Sequence, residues 1–253
     1  MAISEVEPGV WNERTRIHSY DVDLKQEATL EWLCRLFLEA AWNHAEQLGV
    51  GFRHLAAQQK LWVLSRMLVE VEQSPAWGEE VTLSTWPRSG SSIFAMRDFE
   101  IANLGGRRLV AGVSAWLLLD VQSKRPQRLH SLTPLISAFS KKRALQADPQ
   151  KLPVVNTCEP ALATKALYSA VDVNSHVNSA KYISWILDSY PLEFHRRHRV
   201  RRLEINYLGE TPGGAEISAR IGEGSFGEFW HSIVTSNGDE VCRAKMLWTD
   251  AET

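Results

Sequence analysis

Asp172, Asn174, His176 and Asn178 stand at alternate positions just ahead of an apolar run, so four polar side chains crowd the place where a helix would begin. Ala180, Ile183, Leu187 and Tyr190 then recur at helical spacing and predict a buried helix. The first turn of a helix leaves amides without intrahelical partners and carries the positive end of the dipole, and Asp and Asn are favoured there as caps. An imidazole beside such amides can move a proton while the amides polarise a carbonyl. The same residues also fit plain capping with one surface histidine. The stretch alone leaves both readings open.

Other chemistry-bearing residues divide in the same way. Glu210 follows the strand-like segment INYLG, where its carboxylate can fold back towards His176; the alternative is a turn residue ahead of Thr211-Pro212-Gly213-Gly214. Cys34, Cys158 and Cys242 are far apart, with no C-x-x-C pair and no nearby base in sequence, which points to structural thiols and away from a disulfide framework or a metal site. GEGSFG at 222–227 has dinucleotide-loop spacing, but EFWHSIV after it reads as a strand where that motif needs a helix, so a turn is predicted. FHRRHRVRR holds the densest basic run; its Arg196, Arg197 and Arg199 read as solvated surface, as a nucleic-acid contact, or as a dock for an acidic protein.

The elements that must position these residues come in two rounds. A short extended segment at 11–23 leads to a helical pattern at 28–48, with Leu30, Leu33, Phe37, Ala40 and His44 on one stripe and Gly49 and Gly51 ending it. Four strand-like segments follow, at 60–72, 79–86, 92–103 and 107–121. Residues 122–165 break the pattern: a possible short helix in LTPLISAF, then a proline-bearing linker. After it the order returns: extended ALYSAVDV, the helix after His176, and strands at 200–209, 215–222, 226–236 and 240–250. Gly78-Glu-Glu-Val-Thr-Leu can be laid on Gly214-Ala-Glu-Ile-Ser-Ala. The reading is a duplicated α+β domain, a tandem (double) hot-dog in which each repeat wraps a long helix in a curved antiparallel sheet. The repeats are placed at 1–130 and 166–253 around a linker at 131–165.

The duplication is unequal, because Asp21, Asp23, Lys25 and Glu27 precede the first helix with no counterpart of Asn174 and His176. Only the second repeat is equipped for this chemistry. A formal net charge of -2 gives no global attraction to nucleic acid or anionic membrane. No window is long and apolar enough for a membrane span, and the acidic N-terminus argues against a secretory signal, so a reducing cytoplasm is expected.

EAAWNHAEQLG (39–49), WVLSRMLVEVEQSPAWGEEVTLSTWPRSG (62–90) and DVNSHVNSAKYISWILDSYP (172–191) resemble the acyl-acyl-carrier-protein thioesterases of plant plastids and bacteria over nearly the whole chain. The resemblance implies release of fatty acid from acyl carrier protein by thioester hydrolysis, without metal or organic cofactor. Asp172, Asn174 and His176 fall on the family's site. Glu210 falls on its glutamate if Ile205-Asn206-Tyr207 is set on the family's strand, whereas a start at Leu203 puts Leu208 there. Some plant members carry a cysteine just after that glutamate; Thr211 stands here, which leaves attack by water. The implied mechanism places the backbone amides of Val177 and Asn178 as oxyanion donors, an acyl pocket at Leu33, Phe37 and Ala40 in the first repeat, and carrier docking at Arg196, Arg197 and Arg199 in a monomer or homodimer. The rivals are an acyl-coenzyme A thioesterase and a non-catalytic acyl- or RNA-binding module.

Overall fold

The computed structural model describes residues 9–88, 90–129, 142–155, 158–173 and 175–251, and the chain forms two units. The first holds Leu33–Pro149 with the chain up to Thr29; the second holds Gln150–Thr253 with Leu30–Trp32. In the first unit, strand β1 (Trp11–Arg16) precedes helix α1 (Leu30–Gln47), a short helix α2 (Phe52–Ala56) and strands β2 (Lys60–Val71), β3 (Glu80–Arg88), β4 (Phe94–Asn103) and β5 (Arg108–Asp120). They pair antiparallel in the order β1-β3-β4-β5-β2. The second unit repeats this with β6 (Glu159–Lys165), helices α3 (Ser179–Leu187) and α4 (Leu192–Arg197), and strands β7 (His198–Tyr207), β8 (Glu216–Glu223), β9 (Glu228–Thr235) and β10 (Glu240–Asp250). Its order, β6-β8-β9-β10-β7, is the same order again. The fold is the tandem α+β hot-dog.

Local chemistry accounts for the element ends. Helix α1 stops in a Schellman cap: Gly49 takes φ +72°, its N–H donates to the Glu46 carbonyl, and the Val50 N–H donates to the Ala45 carbonyl at 3.0 Å. Inside the unit, Phe37 of α1 stacks on Phe99 at 4.6 Å and lies over Gly112, where an added Cβ would come within 2.6 Å of the ring. Gly112 is therefore the space Phe37 occupies. Helix α3 is half the length of α1, nine residues against 18, because Pro191 cannot continue it and instead starts α4. GEGSFG is a turn between β8 and β9, with Gly227 at φ +77°.

The stretch read as linker is more ordered than its composition implied. Its later part forms β6. Before it, within the first unit, Asp98 accepts the Ala144 N–H at 2.9 Å, Trp86 Nε1 donates to the Lys142 carbonyl at 2.9 Å, and Arg88 joins Asp98 and Asp148. Within the second unit, Asn206 accepts from the Leu152 N–H at 2.8 Å and donates to the Gln150 carbonyl at 2.9 Å, and Arg243 donates to the Leu152 carbonyl at 2.7 Å. Polar strand residues strap the segment down. Composition could not reveal this, because the partners lie up to 91 residues away. LTPLISAF lies outside the described residues.

The segment ALYSAVDV, expected to be extended, instead makes a 3₁₀ turn at Tyr168–Ala170 and then a compact knot that both units share. Asp172 N–H donates to the His176 carbonyl at 2.8 Å, as Asp23 N–H does to Glu27 at 2.8 Å. Ser175 N–H donates to Asp172 and Gln26 N–H to Asp23, each at 3.0 Å. Ser175 and Gln26 take φ of 65° and 61°, a left-handed conformation that costs a non-glycine residue free energy, so each knot holds it against that cost. Val22 bridges Ala28 as Val171 bridges Val177.

Candidate active site

The second knot and the loop after β7 bring His176 and Glu210 together. His176 Nε2 lies 3.6 Å from Glu210 Oε2, with the two side chains 37% and 53% exposed. That spacing exceeds a hydrogen bond but lies within reach of one, and catalytic contacts commonly tighten when substrate closes over them. The carboxylate does fold back on the imidazole.

Three contacts hold the glutamate loop in place. The Val177 N–H donates to the Thr211 carbonyl at 2.9 Å, His176 and Pro212 form a β-bridge, and Tyr182 of α3 donates its hydroxyl to Thr211 Oγ1 at 2.8 Å. Tyr182 and Thr211 are both buried, and burial pushes the Tyr182 phenol up to about 12, so it remains a neutral donor. Thr211 is thus a structural partner of Tyr182. Tyr207 adds a hydrogen bond from its hydroxyl to the Ser179 carbonyl at 3.1 Å and an edge contact to the Tyr182 ring. Sequence reasoning missed Tyr182; nothing local marks a tyrosine that reaches 29 residues onward.

The amides expected to hold an oxyanion are already in use. Val177 N–H donates to Thr211, and Asn178 N–H donates to the Ala170 carbonyl at 2.9 Å. One N–H makes one strong bond, so neither faces a substrate in this arrangement. Asn178 instead caps α3, its Oδ1 accepting the Ala180 N–H at 2.9 Å while its carbonyl accepts Lys181. Among the described residues this leaves the Ser179 N–H as the helix-start amide with no acceptor. Asp172 sits half-buried at the knot's entry with a partner of its own. Asn174 lies outside the described residues.

The other candidates lie on other elements of the chain. Leu33, Phe37 and Ala40 lie on the fully buried face of α1. Arg196 and Arg197 are exposed, and both meet Glu193, at 3.4 and 2.8 Å; Arg199 also has a partner. Cys34 and Cys242 are buried, and burial raises the thiols of Cys242 and half-buried Cys158, which disfavours thiolate. Among the described residues no cluster of three metal-ligating side chains occurs, and no helix is long and apolar enough to cross a membrane.

Comparison with known proteins places the chain as a whole. Residues 8–132 match the family model of the acyl-ACP thioesterase N-terminal domain, and residues 160–250 that of the acyl-ACP thioesterase C-terminal domain. The chain is 28% identical to the chloroplastic palmitoyl-acyl carrier protein thioesterase of Gossypium hirsutum, over 94% of this chain and 63% of that protein. It is 27% identical to the chloroplastic oleoyl-acyl carrier protein thioesterase 1 of Arabidopsis thaliana, over 94% of this chain and 75% of that one. Among solved structures, an acyl-ACP thioesterase from Bacteroides thetaiotaomicron superposes with a TM-score of 0.88 at 27% identity, covering 95% of this chain and 98% of that chain. The 12:0-ACP thioesterase of Umbellularia californica shares the fold at a TM-score of 0.84 and 23% identity, over 96% and 98% of the two chains.

Proposed function

The chain belongs to the acyl-ACP thioesterase family, and we propose that it hydrolyses the thioester of a fatty acyl-acyl carrier protein to free fatty acid and carrier thiol. The observation that carries this reading is the His176–Glu210 pair, 3.6 Å apart at the start of a buried helix. Water adds to the thioester carbonyl while the pair takes its proton; the tetrahedral intermediate collapses, the C–S bond breaks, and the proton passes to the leaving pantetheine sulfur. His176 faces the reacting water and Glu210 orients the ring and stabilises its positive charge. Asn174, by resemblance, orients the water or the imidazole, and Asp172 fixes the knot. With Val177 and Asn178 engaged, the Ser179 N–H at the positive end of α3 is the amide left to meet the developing oxyanion.

Leu33, Phe37 and Ala40 supply walls of the acyl pocket in the first unit, and the stripe they form on α1 supports that role. The exposed side chains of Arg196 and Arg197, with the half-buried Arg199, dock the acidic carrier. Hydrolysis of acyl-carrier protein and acyl-coenzyme A, measured side by side on the wild type and on His176→Ala, tests the proposal. Faster wild-type turnover of the carrier substrate, lost in the variant, is the expected result. Equal turnover by wild type and variant would overturn it.

A further inference from the structure

The interior of the first unit holds a cation that the thioester chemistry does not use. Arg97 lies two residues before Phe99 on the same face of β4 and is buried beside α1. Its Nη1 meets His44 Nδ1 at 3.0 Å and donates to Thr85 Oγ1 at 3.3 Å. Neither partner carries a negative charge. Asp98 faces the other way, where Arg88 and the Ala144 N–H hold it. Among the described residues no carboxylate pairs with Arg97, and burial lowers its guanidinium to about 10. A buried charge without a counter-charge is expensive, and a ligand that supplied one would offset that cost.

The unused donors converge on one chemistry. A guanidinium only donates, so His44 accepts at Nδ1 and carries its proton on Nε2. Burial first, and then Arg97, pushes the His44 imidazole down to about 4, so it stays neutral. Arg97 Nε and Nη2 and the His44 Nε2–H thus have no acceptor among the described residues. Ser114, opposite Arg97 in the β4–β5 register, is buried too and accepts from Trp116 Nε1 at 2.7 Å. The cluster is rich in donors and carries one positive charge.

We propose that Arg97 and His44 form a carboxylate-binding site inside the first unit. The guanidinium fork matches the two oxygens of a carboxylate, and the single charges cancel. The carboxylate comes either from a free small acid or from the far end of an acyl chain; only the second source rests on the thioesterase reading.

The full-length protein is heated in rising sodium acetate against sodium chloride at matched ionic strength. Acetate should raise the melting temperature of the wild type saturably and leave Arg97→Met flat, with Arg97→Met itself more stable than wild type in chloride. An acetate shift of equal size in both proteins, or no shift in either, overturns the proposal. Should Arg97→Met fail to fold, Arg97→Lys and His44→Gln serve, each expected to weaken acetate binding about tenfold or more, as lost charge-assisted hydrogen bonds do. Turnover of octanoyl-pantetheine is then compared with its ω-carboxy analogue. A KM about tenfold lower for the ω-carboxy thioester, lost in the variants, assigns the site to the acyl chain; equal KM values with the acetate shift retained assign it to a free carboxylate.

Discussion

Glu27 of the first unit and His176 of the second occupy the same place in one backbone knot. Each accepts from the aspartate four residues earlier at 2.8 Å, and each forms a bridge to the loop after its unit's second strand, at Ala76 and Pro212. Counted along the chain from these shared contacts, Lys25 corresponds to position 174 and Ser74 to Glu210. In the first knot Lys25 Nζ sits 3.0 Å from Asp23 and the Lys25 N–H donates to it at 2.8 Å, so the polar groups there satisfy one another. The knot is scaffold in both units, and the side chains set on it differ.

His176→Ala and Glu210→Gln should lower kcat by about two to four orders of magnitude for the histidine and less for the glutamine, as loss of general-base catalysis does. Both side chains are partly exposed and outside the core, so the melting temperature should stay within a degree or two of wild type, a shift of about 0.5 kcal/mol or less. Unchanged turnover in a folded His176→Ala would remove the dyad from the mechanism.

Tyr182→Phe should cost about 1–3 kcal/mol, because it strands a buried Thr211 hydroxyl, and kcat should fall with little change in KM as the Glu210 loop loosens. Pairing it with Thr211→Val in a double-mutant cycle measures the coupling between them. Additive effects on both stability and kcat would show that the hydroxyl contact does not position the loop.

Glu193 offsets Arg196 and Arg197 at the surface. Glu193→Gln should therefore lower the KM for acyl-carrier protein at low salt, and Arg196→Glu with Arg197→Glu should raise it and flatten its salt dependence, since screened attraction governs encounter. Turnover of a short acyl-pantetheine should hold steady in all of them. An equal loss on both substrates would assign these charges to the fold.

Phe37 fills the space above Gly112, so enlarging or emptying that contact should move the preferred acyl length. Phe37→Leu opens room and should favour longer chains, each added methylene worth about 1–3 kcal/mol at most in discrimination. Gly112→Ala forces the ring aside at about 1–3 kcal/mol of overpacking. A product profile identical across both folded variants would put the acyl pocket elsewhere.

Acid should weaken the second unit through His231. Its Nε2 meets the Tyr190 hydroxyl at 3.0 Å, its Nδ1 is buried without a partner, and burial holds its imidazole down to about 3. The unfolded chain therefore binds a proton first, so stability falls as pH drops from the ordinary histidine value near 6.5 towards 3, by on the order of 1 kcal/mol per pH unit. His44 adds the same sign between 6.5 and about 4 in the first unit. Urea titrations from pH 7 to pH 4 should show this slope, and His231→Met should flatten it; a slope indifferent to the substitution would place the acid sensitivity elsewhere.

Local pattern and turn chemistry determined a good deal of this protein from the sequence by itself. The two rounds of helix and strands follow from hydrophobic period, and Gly78 and Gly214, at φ of 83° and 85°, mark the same turn in each unit. The knot was legible as a polar helix start, whereas Glu210 read equally well as a turn residue after the strand, and only the fold brings it to His176. The tertiary structure alone decided which donors remain free. Val177 and Asn178 look available on the chain, yet their hydrogens are taken by Thr211 and Ala170 once the loop after β7 docks on the knot. Tyr182 meets Thr211, residues 142–152 are strapped by Asp98, Asn206 and Arg243, and Arg97 is left without a counter-charge, for the same reason. Periodicity is written in neighbouring residues, whereas saturation of hydrogen bonds and charges depends on which distant strands the register sets side by side.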